Sequence, residues 1–275
     1  MAKKYSKVRI PFYVQYPPKV EFAELILPNG DKRPIDGEQW RVENPNTNTT
    51  LFGDSRNLVL LSEALEAGSI LRYRVQTTAP PRPKNKVWWD SYVLANEVPT
   101  ALAEYTLSLE AGETAYAFHA GCEERMQLLP NGKTFRRWSA RNVLPFKFLE
   151  ELNMPAPTVF TTSFDSWSSV DSWYHALFEP ATVLGEELKH IAEKIAESNQ
   201  HPRDRLDAVV DLVERVIDYQ GIEFGVGAYR PRPSESTWRR RAGDCKDMVA
   251  LIVGLTRALG LQSYAVLVRP NDSGL

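Results

Sequence analysis

Cysteine and histidine are scarce in this chain of 275 residues, with two of the first and four of the second. Two cysteines cannot make the disulfide framework that staples small secreted domains. Four scattered histidines, taken with Cys122 and Cys245, offer no metal-ligand spacing, so neither a metal centre nor a cofactor is expected. Charge of one sign is also missing. The net charge is −2 and the pI is near 6.2, which argues against a nucleic-acid or anionic-membrane partner. No stretch approaches the ~20 apolar residues of a membrane-spanning helix. No apolar segment follows Met1-Ala-Lys-Lys-Tyr-Ser6, so no signal peptide is read. There is no internal repeat and no low-complexity tract. What remains is ordinary globular material, 43% apolar and 25% charged, enough for a sizeable core and, at this length, for two domains.

The first part reads as β. Tyr105, Leu107 and Leu109 alternate with polar neighbours, as do Leu71, Tyr73 and Val75, which marks strands with one buried and one wet face. Pro28-Asn29-Gly30-Asp31 and Pro130-Asn131-Gly132-Lys133 predict tight turns between strands. Asn44 to Thr50 reads as a polar loop and Pro80-Pro81-Arg82-Pro83 as a stiff connector. After Ser163 the period changes. Val170, Trp173, Tyr174 and Leu177 predict a short helix that ends before Pro180. Leu184, Leu188, Ile191 and Ile195 predict a second over 181–199. A third starts near Pro202, with Leu206, Val209, Val210, Val213, Val216 and Ile217 as its apolar stripe. Residues 221–242 read as a loop rich in Gly, Pro and Arg. A helix over 245–259, closed by Gly260, and a strand over 263–269 complete the chain. The expected class is α+β: an antiparallel β-sandwich over residues 1–163, then a helical region over 164–275.

Chemistry concentrates in Arg241-Ala-Gly-Asp-Cys-Lys-Asp-Met-Val-Ala250. Met248, Ile252, Leu255 and Leu259 recur at helical steps, so Cys245 stands in the first turn of a helix with a buried face. Unpaired N–H groups there favour thiolate over thiol, and the thiolate is the nucleophile. Gly243 would let the chain turn tightly and a substrate come close. Asp244 suits the N-cap, and Asp247 in the first turn complements the dipole. The Cys245 N–H would donate to the oxyanion of a tetrahedral intermediate, with the indole of Trp238 as a second donor. The plainer reading is that Cys245 is a small buried hydrophobe, as cysteines often are. His119, His175, His190 and His201 show no spacing that pairs them with it. The Trp238-Arg239-Arg240-Arg241 run reads as a solvated loop or a clamp on local carboxylates, with anion binding as the other reading. A Cys122–Cys245 bridge would link two domains.

Gly227-Ala-Tyr229-Arg-Pro231, Ser236-Thr237-Trp238, Arg241-Ala-Gly-Asp-Cys-Lys-Asp247, Leu255-Thr-Arg-Ala-Leu-Gly260 and Tyr264-Ala-Val-Leu-Val268 together resemble the bacterial transglutaminase-like superfamily. Val98-Pro99, Trp138-Ser-Ala-Arg-Asn142, Ser163-Phe-Asp-Ser-Trp167 and Trp173-Tyr174 resemble the β-rich domain DUF3857 that precedes such domains. The resemblance implies a papain-like fold and an acyl-thioester formed on Cys245 from a peptide or side-chain amide, with a protein or peptide as substrate. Trp238, Gly243, Asp244, Asp247 and Tyr229 stand beside it. It also implies a histidine and an aspartate on later strands. No residue here maps to either, and Asp272 lies too close to the cysteine helix to serve. The expectation is therefore a piece of a longer enzyme with little turnover by itself and an apolar edge prone to self-association. The resembling proteins are often periplasmic or secreted. The other reading is a non-catalytic binding or scaffolding module of the cell envelope.

Overall fold

The computed structural model describes residues 7–37, 40–45, 51–62, 65–78, 87–223 and 225–267. The chain forms two compact units, residues 1–81 with 175–275, and residues 82–174.

The first unit opens with β1 (Lys7–Tyr13), β2 (Lys19–Ile26), β3 (Lys32–Pro34), β4 (Trp40–Glu43), β5 (Leu51–Gly53), β6 (Ser55–Leu61) and β7 (Ile70–Gln76). Two antiparallel sheets result, ordered β1-β6-β4 and β3-β2-β7. Their core is Ala23, Ile35, Leu58 and Leu60, with Val8, Ile10 and Phe12 of β1 packed on it at every second position. The β2–β3 turn is the expected one: Gly30 has φ +90° and donates its N–H to the Leu27 carbonyl at 2.8 Å. Tyr73 departs from its predicted inward position and is 46% exposed.

The second unit holds β8 (Trp89–Val93), β9 (Thr100–Leu109), β10 (Tyr116–Ala120), β11 (Glu123–Leu128), β12 (Thr134–Val143), α1 (Phe146–Glu151) and β13 (Thr158–Thr162). It ends in the first turns of α2 (Trp167–Phe178). Its sheets, β11-β12-β9 and β10-β13-β8, are again three-stranded and antiparallel. Both supply one core, in which Trp138, Ala140 and Val143 of β12 meet Val159 of β13. The β strands therefore divide between two successive cores, where the sequence suggests one sandwich.

The chain returns to the first unit with α3 (Glu186–Ser198), α4 (Pro202–Val216), β14 (Asp218–Tyr219), β15 (Gly221–Glu223), α5 (Ser234–Arg240), β16 (Ala242–Gly243) and α6 (Cys245–Ala258). Leu188 and Ala192 of α3, Val209 and Val213 of α4, Trp238 of α5, and Leu251 and Leu255 of α6 make one apolar core. Complete burial of each leucine contributes roughly 1.5–3 kcal/mol. β15 lies parallel to β5 in a separate two-stranded sheet, so a strand from the helical region pairs with one from the N-terminal segment.

Two local expectations need correction. The loop expected over 221–242 contains α5, which starts after Pro233 and buries Ser234, Thr237 and Trp238. Seven residues carry too little periodicity to show a helix, and burial makes it. The strand expected over 263–269 forms no ladder as far as Leu267, since none of the described strands pairs with it. Residues 268 and 269 lie outside the described residues. So do most of the Asn44–Thr50 loop and the Pro80–Pro83 connector.

Candidate active site

The helix α6 begins at Cys245 because Asp244 stops it there. The Asp244 carboxylate accepts the Asp247 N–H at 3.4 Å, and the Asp247 carboxylate accepts the Asp244 N–H at 3.2 Å, a reciprocal capping box. The second oxygen of Asp244 pairs with the Lys246 ammonium.

Asp247 does more than complement a dipole. It is 1% exposed and takes two bonds from the Arg232 guanidinium, from Nε at 3.0 Å and Nη2 at 2.7 Å. It accepts a third from the Arg232 backbone N–H at 2.7 Å. Together with the Asp244 N–H, four donors reach this buried carboxylate, three on Oδ2 and one on Oδ1, which is what makes its burial tolerable. The 229–233 segment is thereby pinned to the first turn of α6. Arg232 is absent from the residues that spacing singles out, since the pair is separated by fourteen intervening positions and no periodicity links them.

Gly243 is needed for a different reason from the one expected. It is buried, its φ is not positive, and a Cβ there would sit 2.9 Å from Asp247 Cβ and 3.0 Å from Thr237 Cγ2. It lets α5 and α6 pack closely; nothing in its surroundings points to substrate approach. Trp238 is also reassigned. Its indole N–H donates to Glu187 Oε1 at 2.7 Å, and the Arg241 guanidinium stacks 3.9 Å above its ring. The donor that would serve an oxyanion is already committed to a carboxylate. Arg239 and Arg240 end α5 and Arg241 caps it at φ 56°, so the arginine run is a helix end rather than a loop. Tyr229 follows a short 3-10 turn, with its N–H on the Val226 carbonyl at 3.3 Å.

Cys245 itself is exposed and free, although Asp244 before it and Asp247 after it are buried. The bland reading, a cysteine hidden in apolar surroundings, is not what the structure shows. Cys122 is free as well, so no bridge joins the two thiols. Next to Cys245 stands a residue that spacing did not reveal, Tyr219. Strand β14 runs parallel to β16, with Tyr219 opposite Gly243 and the Gln220 N–H on the Gly243 carbonyl at 2.9 Å. That pairing brings the Tyr219 phenol beside the Cys245 side chain. Desolvation raises the Tyr219 phenol above its ordinary range even though the ring is 55% exposed, and Cys245 and Asp244 push it the same way. The phenol therefore stays protonated at neutral pH, a hydroxyl donor beside the sulfur.

The histidines take local partners. His119 lies beside Cys122 and Glu124, His175 beside Glu179, and His190 beside Glu193. His201 occupies the N-cap position of α4. Among the described residues no group of His, Cys, Asp and Glu could hold a metal ion. No helix among them is long and apolar enough to cross a membrane.

This architecture is similar to that of a solved structure, a protein from Parabacteroides distasonis ATCC 8503 described as a putative protease. The two share 14% sequence identity with a TM-score of 0.76, and the match covers 94% of this chain. It covers 52% of the other protein, so this chain spans about half its length. The likeness is one of fold. No curated protein matches the chain. The family model described as a domain of unknown function with a solved structure, DUF3857, matches residues 2–147 of the 275. With more than half its length matched, the chain belongs to the DUF3857 family.

Proposed function

We propose that Cys245 is the nucleophile of a transglutaminase-like cysteine hydrolase or acyltransferase that attacks peptide or side-chain amides through an acyl-thioester. One observation carries the reading: the sulfur is exposed at the first residue of a helix whose start is locked by buried carboxylates. Helix-start N–H groups stabilise a thiolate, and the Cys245 N–H would meet the oxyanion as the amide carbonyl becomes tetrahedral. Tyr219, with its proton retained, is a second donor at the same place and takes the role first given to Trp238. Asp244, Asp247, Gly243 and Arg232 hold the helix start still, and Tyr229 stands on the segment that Arg232 pins. The fold likeness to a protein described as a putative protease supports the reading, and so does the Gly-Asp-Cys-Lys-Asp motif.

The reaction needs a base; His119, His175 and His190 have partners elsewhere, and His201 stands at the N-cap of α4. In this reading the base comes from a longer polypeptide, residues 164–275 being the first part of its catalytic domain. Tyr264 and Val266, exposed at 75% and 76%, support an association surface on the same region. The test is alkylation of Cys245 by iodoacetamide at neutral pH in the longest natural polypeptide, before and after unfolding in urea, together with amide hydrolysis by that protein and by Cys245→Ala. Faster alkylation of the native thiol is expected, with hydrolysis lost in the variant. Slower alkylation of the native thiol, or hydrolysis unaffected by the substitution, would sink the reading.

A second reading is a binding module of the cell envelope. It is favoured by the side chain beside the Cys245 sulfur being a phenol that keeps its proton rather than an imidazole. A longer polypeptide in which no imidazole approaches Cys245 would support it.

A further inference from the structure

The other cysteine has what Cys245 lacks. Cys122 follows Gly121 in the turn between β10 and β11, half-buried on the edge of the second core. His119, the fourth residue of β10, places Nδ1 3.7 Å from the Cys122 sulfur. Its Nε2 lies 3.3 Å from Glu124 Oε2, and the other oxygen of Glu124 is held by Arg136 at 2.7 Å. Arg136 is further fixed by the Ala115 carbonyl at 2.8 Å and by the Trp138 ring, whose centroid is 4.9 Å away. Trp138 lies directly across from Glu124 in the β11–β12 ladder, wholly buried, its Nε1 without a partner. The order is thus thiol, imidazole, carboxylate, guanidinium, built on three strands of one unit.

We infer that Cys122 is a second reactive thiol, a site of thiol–disulfide exchange with low-molecular-weight disulfides, in which His119 is the proton acceptor. A neutral imidazole with its hydrogen on Nε2, toward Glu124, leaves the Nδ1 lone pair for the thiol. As Cys122 Sγ attacks one sulfur of the disulfide, its proton passes to Nδ1 and Glu124 balances the imidazolium charge. The S–S bond breaks, the departing thiolate takes the proton from Nδ1, and a mixed disulfide and one free thiol remain. Acyl transfer does not fit here. Cys122 stands on a hairpin turn and not in the first turn of a helix, where backbone N–H groups would be free to serve an oxyanion. A departing thiolate needs only a proton, and the imidazolium holds one within reach. Burial, then the Glu124 charge, raise the Cys122 thiol above its ordinary value, so it rests as a thiol and depends on the base.

The experiment uses the Cys245→Ala chain, in which Cys122 is the one remaining cysteine, with oxidised glutathione as the probe and the mixed disulfide read by intact mass. Formation should be slower in Cys245→Ala/His119→Gln by about a hundredfold, the lower range for a lost general base. Melting curves check that the second protein is folded. Equal rates in the two proteins, or no adduct on the folded chain, overturn the inference. Where His119→Gln does not fold, the Cys245→Ala chain is compared before and after unfolding in urea. Faster reaction of the native thiol supports the site, and slower reaction of the native thiol overturns it.

Discussion

The start of α6 and the β10–β11 turn each present one thiol, and they do so by opposite means. At α6 the sulfur is exposed at the first residue of a helix, and the side chain beside it is a phenol that keeps its proton. At the turn the sulfur is half-buried outside any helix, and an imidazole backed by a carboxylate stands beside it. One site can stabilise charge but cannot remove a proton. The other can remove a proton but has little to stabilise an oxyanion. Reactivity of a cysteine is thus a matter of which half of the machinery the local fold supplies.

Removing the ion pair under α6 should separate the two sites most strongly. Asp247→Ala leaves Arg232 without its partner and dissolves the capping box, and a loss of about 3–5 kcal/mol is expected in urea unfolding. A change within about 0.5 kcal/mol, the range of ordinary surface substitutions, would mean the helix start is held by something else. Gly243→Ala should cost about 1–3 kcal/mol, because its Cβ would meet Asp247 and Thr237 at or below 3.0 Å. The same measurement decides it, and an unchanged midpoint would show that α5 and α6 can part at no cost. Neither variant should alter the reaction of Cys122 with oxidised glutathione.

Tyr219→Phe sharpens the contrast at the sulfur. Loss of the hydroxyl frees Cys245, so iodoacetamide should alkylate it a few-fold faster, while hydrolysis by the longer enzyme should fall if the phenol is an oxyanion donor. Slower alkylation with unchanged hydrolysis would remove Tyr219 from the site. The smallest effect concerns pH. Arg257 bonds the Glu179 carboxylate at 2.7 and 3.0 Å and holds it below the usual carboxylate range. A depressed folded-state value stabilises the protein above the unfolded value near 4.3, and that contribution fades as pH falls through the folded value. The pair is about a third exposed, so the effect is expected to stay under about 1 kcal/mol. Melting temperatures of the parent and Glu179→Gln should converge as pH falls below 4; a constant gap would contradict the assignment.

Much of the fold was legible. Period-two runs placed β9 and β7, Asn-Gly pairs placed two hairpin turns, and period-3.6 stripes placed α3, α4 and α6. Legibility failed where length or partners decide. α5 is too short to show a stripe, and the apolar run after Leu261 pairs with none of the described strands. At the site, the position of Cys245 followed from the apolar repeat behind it. Arg232 and Tyr219 did not, because a buried carboxylate and a strand pairing choose them across 15 and 26 residues of sequence.

From sequence alone came the α+β class, the helix that carries Cys245 at its first turn, and Asp244 as the residue that begins it, since all three are local matters of period and capping. Tertiary structure decided the rest. It split the strands between two cores, spent the Trp238 donor on Glu187, set a phenol rather than an imidazole against the Cys245 sulfur, and gave the imidazole to Cys122. These depend on which strands pair and which carboxylates must be neutralised when buried. Such contacts are settled by the packing of distant segments, and no local pattern encodes them.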